Sequence, residues 1–310
     1  MRIRAKFITC FFSCIKESQY TTVVKVVYFL RTGRCLDLQQ PKTYIEKLHW
    51  LNLYENQPIK TILTDKYKVK EWVAEKIGEE YVVPLIGVWS NPDDIDFESL
   101  PDRFVFKAVN GTCGKQMIIV KNKNELNIKK VKRELGYWLS LNNIFAGSDG
   151  FLMKLHYNST PKIIAEKYME NLGIEYKFYC FEGVPRFLSV DKDILTMRKA
   201  SLFDLNLKHS PFIFKRVLPL DFTPTKPKHF EKMIEIVRIL SEGFKHVRVD
   251  MYYIYEKIYF GEMTFTPGEG VSFIKPYKYE YMLGEMIQLP FIVSTTPSAS
   301  QAPLRSRRGL

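Results

Sequence analysis

A lysine, a small polar loop and a second lysine follow the apolar run RFVF: the segment KAVNGTCGK spans residues 107–115. Glycines at Gly111 and Gly114 let a backbone come close to a ligand. Successive N–H groups in such a loop form an anion nest, and Lys107 and Lys115 add positive charge. Residues of this kind hold phosphate. The spacing is not that of a P-loop, which has four residues between Gly and Gly-Lys and then Ser or Thr; here two intervene and Gln116 follows. A hairpin turn carrying two surface lysines accounts for the same letters.

Two carboxylates offer a second kind of chemistry, Asp250 in VRVDMYYI and Glu262 in YFGEMTF. Both runs alternate apolar and polar residues, as the arms of a hairpin do. With an odd loop, Tyr255-Glu256-Lys257, Asp250 falls opposite Glu262 and Arg248 opposite Thr264, all on one face. A two-residue loop puts the carboxylates on opposite faces instead. Facing carboxylates repel, and Mg²⁺ shared with substrate phosphates compensates them. On that reading the metal-free pair carries excess negative charge and at least one raised pKa. A solvated hairpin in which Arg248 neutralises one acid is the alternative. A third feature is IIAEKYMENLGIEYKF (163–178), an apolar strand running into Glu166, a short exposed segment, then Gly173 and Glu175. Such a hinge offers backbone groups to a base edge and a carboxylate to sugar hydroxyls.

The elements that must position these groups are legible in outline. Residues 1–64 read as mostly helical. TDKYKVKEWVAEKIG (64–78) has Thr64 or Asp65 as a helix cap, a stripe of Tyr67, Val69, Val73 and Ile77, and a closing Gly78. Strands are expected in YVVPLIGVW and on both sides of the glycine loop, and a helix in NELNIKKVKRELGYWLSLNN. From residue 161 onward the texture is that of antiparallel strands joined by short turns, with one amphipathic helix in KHFEKMIEIVRILSEGF. The Ser/Pro/Arg-rich stretch 294–310 reads as a disordered basic tail.

At 310 residues, with 46% hydrophobic and 14% aromatic content, the chain can bury a substantial core and is not a disordered one. Five cysteines, Cys10, Cys14, Cys35, Cys113 and Cys180, include no CxxC pair and suit a reducing compartment. The net charge of +12 sits mostly at the ends. Residues 1–36 hold seven Lys/Arg against one acid, and the last twenty hold Arg305, Arg307 and Arg308 with none. The nearly balanced middle argues against a nucleic-acid-binding surface. No run is long enough to span a bilayer, so the expectation is a cytoplasmic protein whose basic ends touch an acidic membrane, at its inner face, or an acidic glycan, or else are solvated tails.

The order of features resembles the ATP-grasp superfamily, and more closely its TupA-like members from bacterial surface-polysaccharide clusters. The resemblance is carried by PKTYIEKLHWLNLY, TDKYKVKEWVAEKIGEEYVVPLIGVW, EYKFYCFEG and FGEMTFTPGEG, and covers roughly residues 38–290. It implies an α+β ATP-grasp fold, two α/β lobes with nucleotide between them, preceded by a short helical N-terminal region. The expected divisions are 1–64, an N-lobe at 65–160 and a C-lobe at 161–293. By this resemblance Lys66 and Lys107 reach the phosphates of ATP, and Gly111, Thr112, Cys113 and Gly114 form a lid. Glu166 and the backbone near Met169 hold adenine, and Glu175 the ribose. Asp250, Glu262 and Thr264 hold Mg²⁺, with Thr264 where many ATP-grasp enzymes carry Asn. Arg198, Lys177 and Arg248 are the cationic candidates for catalysis. The implied reaction is carboxylate–amine ligation through an acyl phosphate, joining an amine or amino acid to a glycan, nucleotide-sugar or uronic-acid acceptor. A glycosyltransferase, a sugar phosphotransferase and a non-catalytic glycan-binding protein are the alternatives.

Overall fold

The computed structural model describes residues 15–55, 57–111, 116–140, 160–170, 174–192, 197–214, 217–271 and 273–290. Thr112, Cys113 and Gly114, the tail from residue 294, and residues 1–14 lie outside them. Three helices come first: α1 (Tyr20–Thr32), α2 (Tyr44–Tyr54) and α3 (Ile59–Leu63). A capping box starts α2, with the Glu46 N–H donating to Thr43 and the Thr43 N–H donating to the Glu46 carboxylate. Asp65, one of the two expected caps, accepts from the N–H groups of Tyr67 and Lys68 at 2.9 and 3.1 Å and so opens α4 (Lys68–Ile77). Gly78, at φ 112°, ends it.

Four antiparallel strands follow in spatial order β1-β4-β2-β3, namely β1 (Leu85–Trp89), β2 (Phe104–Ala108), β3 (Met117–Val120) and β4 (Ile163–Lys167). Helix α5 (Ile128–Ser140) covers this sheet with Val131, Leu135 and Trp138, spaced for one helix face. A boundary after residue 160 would give β4 to the second lobe. Instead β4 pairs with both β1 and β2, so the first sheet runs on to Lys167.

The second sheet has five antiparallel strands in the order β10-β9-β5-β6-β7. They are β5 (Ile174–Phe181), β6 (Val184–Lys192), β7 (Lys199–Phe203), β9 (His246–Ile254) and β10 (Lys257–Thr264). β8 (Ile213–Phe214) and β11 (Ile274–Lys275) make a small separate pair, and α6 (Phe230–Ser241) and α7 (Lys278–Glu285) complete the described helices. Alternation sorts the side chains of the large sheet. Tyr176, Phe178, Val247, Val249 and Met251 pack under α6, in a core that also takes Val69 and Val73 of α4. The other face is divided along its length. Tyr179, Phe181 and Phe187 at one end are covered by α1, α2 and α7, while the other end carries charge.

Candidate active site

The carboxylate pair is set by a hairpin that differs from the expected one. It closes on a two-residue turn, Tyr255-Glu256, with both residues left-handed at φ 49° and 59°. That turn alone would separate the carboxylates to opposite faces. A bulge between Phe260 and Glu262 restores them: Phe260 pairs with Met251, but Glu262 pairs with Asp250 and Thr264 with Arg248. Gly261 is the extra residue, and a Cβ there would stand 3.0 Å from the Asp250 carbonyl oxygen. The facing pairs are as expected; the loop that was to produce them is not.

Arg248 occupies the centre of the pair. Its Nε and Nη2 donate to the two Asp250 oxygens at 2.6 and 2.7 Å, and Nη2 also donates to Glu262 Oε1 at 2.9 Å and Thr264 Oγ1 at 3.0 Å. Lys177, on the neighbouring β5, reaches Asp250 at 3.2 Å and Glu175 at 2.6 Å. The pair therefore holds no excess negative charge. Burial pushes the Asp250 carboxyl up to about 6 even against Arg248 and Lys177. Burial also acts to raise Glu262, but Lys66, Arg248, Lys177 and Lys107 outweigh it and bring that carboxyl down to about 2. Burial would depress the Lys177 ammonium; Asp250 and Glu175 reverse this and raise it.

The same face extends to Asp191 on β6, fully buried, which the sequence reading missed. It accepts from Ser189 and from Arg198, whose Nε and Nη2 lie at 2.8 and 2.7 Å, and Lys177 stands 3.7 Å away. Arg198 itself is 43% exposed. One connected network thus runs from Glu262 through Arg248, Asp250, Lys177 and Asp191 to Arg198. Glu175 belongs to it through Lys177 and through a hydrogen bond with Tyr252, its partner across the strands.

The first sheet contributes cations. Lys107 on β2 meets Glu166 on β4 at 2.5 Å, and Lys70 on α4 meets the other Glu166 oxygen at 2.6 Å. Glu166 is buried, and although burial raises carboxyl pKa values, the two lysines hold it below the usual range. Its carboxylate thus anchors lysines in this structure. Lys66 follows Asp65 at the approach to α4; its N–H donates to the Val109 carbonyl at 3.0 Å and its ammonium to the Gly111 carbonyl at 2.5 Å, 3.9 Å from Glu262. Met169, half-buried, lies in the segment joining β4 to β5. Lys70 was not anticipated either.

Between the sheets lies a cleft of about 70 Å³ lined by Lys66, Lys70, Lys107 and Glu166 on one side and Tyr252, Gly261 and Glu262 on the other. Ligand pockets usually measure roughly 300–1,000 Å³. A nucleotide therefore needs the two sheets to part and the lysines to exchange protein oxygens for its own. Three ammonium groups against the carboxylates of Glu166 and Glu262 leave the lining with a positive excess, which suits an anionic ligand.

The sequence model of the TupA-like ATP-grasp family matches residues 46–288. The chain belongs to that family. Among solved structures it is similar to D-alanine–D-alanine ligase from Bacillus anthracis, at 19% identity and TM-score 0.41, over 73% of this chain and 66% of that one. It is also similar to N5-carboxyaminoimidazole synthetase from Staphylococcus aureus complexed with ADP, at 17% and 0.44, over 79% of this chain and 59% of that one. D-alanine–D-alanine ligase from Helicobacter pylori matches at 14% and 0.42, over 80% of this chain and 69% of that one. The chain spans less than two thirds of the length of the first two. No curated protein matches it.

The ATP-grasp family implies Mg²⁺, and the donors can be tested for fit. Among the described residues no group of three His, Cys, Asp or Glu is placed to hold a metal ion by itself. Mg²⁺ in phosphate sites needs only one or two carboxylates beside the phosphates. Glu262, 43% exposed at the cleft, has Oε2 turned to Lys66 at 3.9 Å and suits that part. Asp250 gives both oxygens to Arg248 and joins only if Arg248 moves. The Thr264 hydroxyl accepts from Arg248 and adjoins Glu262 at 3.4 Å. The residues fit one phosphate-bound ion centred on Glu262.

Proposed function

We propose that this ATP-grasp chain is an ATP-dependent carboxylate–amine ligase that decorates a bacterial surface polysaccharide, joining an amine or amino acid to a uronic acid or related acceptor. The observation that carries the reading is the cleft, in which Lys66, Lys70 and Lys107 of one side face Glu262 of the other, itself held from behind by Arg248. Phosphoryl transfer asks little of a protein beyond aligning phosphate oxygens and balancing their charge. On this reading the acceptor carboxylate attacks the γ-phosphorus, ADP leaves, and the amine displaces phosphate from the acyl phosphate. Lys66 and Lys107 orient the phosphates, and Arg248 holds Glu262 and Thr264 in place beside them. Arg198, tied to Asp191, presents its exposed edge to an anionic acceptor. Mg²⁺, when bound, would be held by Glu262 and would neutralise phosphate charge. The first sheet with Lys107 and Glu166 forms one wall of the nucleotide site, and the five-stranded sheet forms the other.

The test is product analysis. Incubated with ATP, Mg²⁺ and a pool of uronic acids and amino acids, the protein is expected to release ADP and phosphate in step with a new amide mass. Release of AMP and pyrophosphate, or turnover only with a nucleotide-sugar and no ATP, would overturn the proposal.

A further inference from the structure

Helix α1 has two apolar faces, and only one is used. Val24 and Tyr28 are buried in the core shared with α2 and α7. On the opposite side Val26 and Phe29 are each 51% exposed and Leu30 76%. Positions 26, 29 and 30 fall on one face of a 3.6-residue repeat, about half a turn from the buried pair, with Thr22 and Gly33 completing the strip. A surface helix normally turns charge outward; one that is apolar all round has something to bury its second face. Leu30 shows the largest fractional exposure of any large hydrophobe among the described residues.

The helix that carries this strip and the first 36 residues of the sequence are basic. Helix α1 contains Lys25 and Arg31 and no acid, and residues 1–36 hold seven Lys/Arg against Glu17 alone. An apolar strip edged by a lysine, on a helix without acid, is the composition of a helix lying in the headgroup layer. With 13 residues α1 is too short to cross, and no described helix is long and apolar enough to do so. A second copy of the chain would bring basic residues against basic residues, which opposes pairing of two such faces.

We propose that the outward face of α1 docks this enzyme on an anionic lipid bilayer, with Val26, Phe29 and Leu30 inserted among the headgroups and Lys25 facing the lipid charge. The experiment is co-sedimentation of the full chain with vesicles of equimolar phosphatidylglycerol and phosphatidylcholine, against vesicles of phosphatidylcholine alone. Binding is expected only to the anionic vesicles and is expected to weaken with added salt. The variant Val26→Gln/Phe29→Gln/Leu30→Gln, whose fold is checked by circular dichroism and melting temperature, should lose roughly tenfold or more of that binding. The Lys25→Glu variant tests the electrostatic part and should weaken binding with the apolar strip intact. Undiminished binding by the folded triple variant overturns the proposal. So does a wild-type chain that ignores vesicles but is a dimer which the triple variant dissociates, because the face is then an interface between copies.

Discussion

Arg248 donates to Asp250, Glu262 and Thr264 at once, and this decides what removing any one of them does. Asp250 is buried and is the main counter-charge for both Arg248 and Lys177. Had the two carboxylates repelled each other unrelieved, Asp250→Asn would leave the protein no less stable. With Arg248 in place, Asp250→Asn instead turns a buried amide donor toward Arg248 and Lys177, which keep Glu262 and Glu175, and should destabilise by about 1–3 kcal/mol. Denaturant unfolding of the metal-free protein checks this; equal stability would show that the arginine contact is not formed. That Lys66, Lys107 and Glu262 meet at one cleft was legible because the order of their motifs along the chain is distinctive. Lys70 and Asp191 were not, because their partners are Glu166 and Arg198, placed by tertiary contact. Each left a faint trace. Lys70 is one turn beyond Lys66, and Asp191 alternates with Ser189 along β6.

At the scale of elements, the β9–β10 hairpin shows how a correct facing pair can come from an incorrect loop. Without a bulge, only an odd loop aligns the acids. The molecule uses a two-residue turn and inserts Gly261 further along. The sign of this was in the sequence: the buried residues of β10 are Ile258 and Phe260 and then Met263, so the alternation slips by one at Gly261. The turn and the bulge make opposite expectations. Tyr255 and Glu256 both hold positive φ, a region that favours Asn and Gly. Tyr255→Asn with Glu256→Gly should stabilise the fold by about 1–2 kcal/mol, read from thermal unfolding, with no effect on the cleft. Gly261→Val should do the reverse. Its Cβ would press on the Asp250 carbonyl at 3.0 Å and the Tyr252 ring at 3.1 Å, displacing Glu262 with it. Nucleotide affinity that survives in folded Gly261→Val would mean the bulge does not serve the site. Helix signals were more dependable, since the Thr43–Glu46 box and the Asp65 cap act locally.

Across the whole molecule, buried titrating groups oppose one another. Burial brings His49 down to about 4 and His246 to about 3 from 6.5, so each favours folding fully above pH 6.5 and loses that contribution as pH falls toward those values. Burial pushes Glu280 up to about 7 from 4.5, so its contribution runs the other way and is lost as pH rises from 4.5 through 7. Asp250, raised to about 6, has the same sign as Glu280. Two groups against two leave stability nearly level between about pH 4.5 and 6. Below that, Glu262, held at about 2, and Glu166, also lowered, are lost together with the histidines, and stability should fall steeply. Glu280→Gln removes one opposing group, keeping an acceptor for the N–H groups of Ile274 and Ile45. Its stability should then decline with falling pH by about 1.4 kcal/mol per unit in the window where the wild type is level. Urea unfolding at a series of pH values reads the slope; parallel curves for the two proteins would contradict it.

The central claim is that the cleft between the two sheets is where Mg-ATP binds. Calorimetric titration of the wild-type chain and of Lys107→Met with Mg-ATP tests it directly, with circular dichroism to confirm that both are folded. Lys107 is only about a quarter exposed and meets Glu166, which Lys70 continues to hold in the variant, so the fold should survive the change. Saturable binding by the wild type is expected, with a loss of roughly tenfold or more in affinity for the folded variant, as removal of one charge-assisted contact implies. Equal affinities for the two folded proteins, or a wild-type chain that binds no nucleotide, would contradict it.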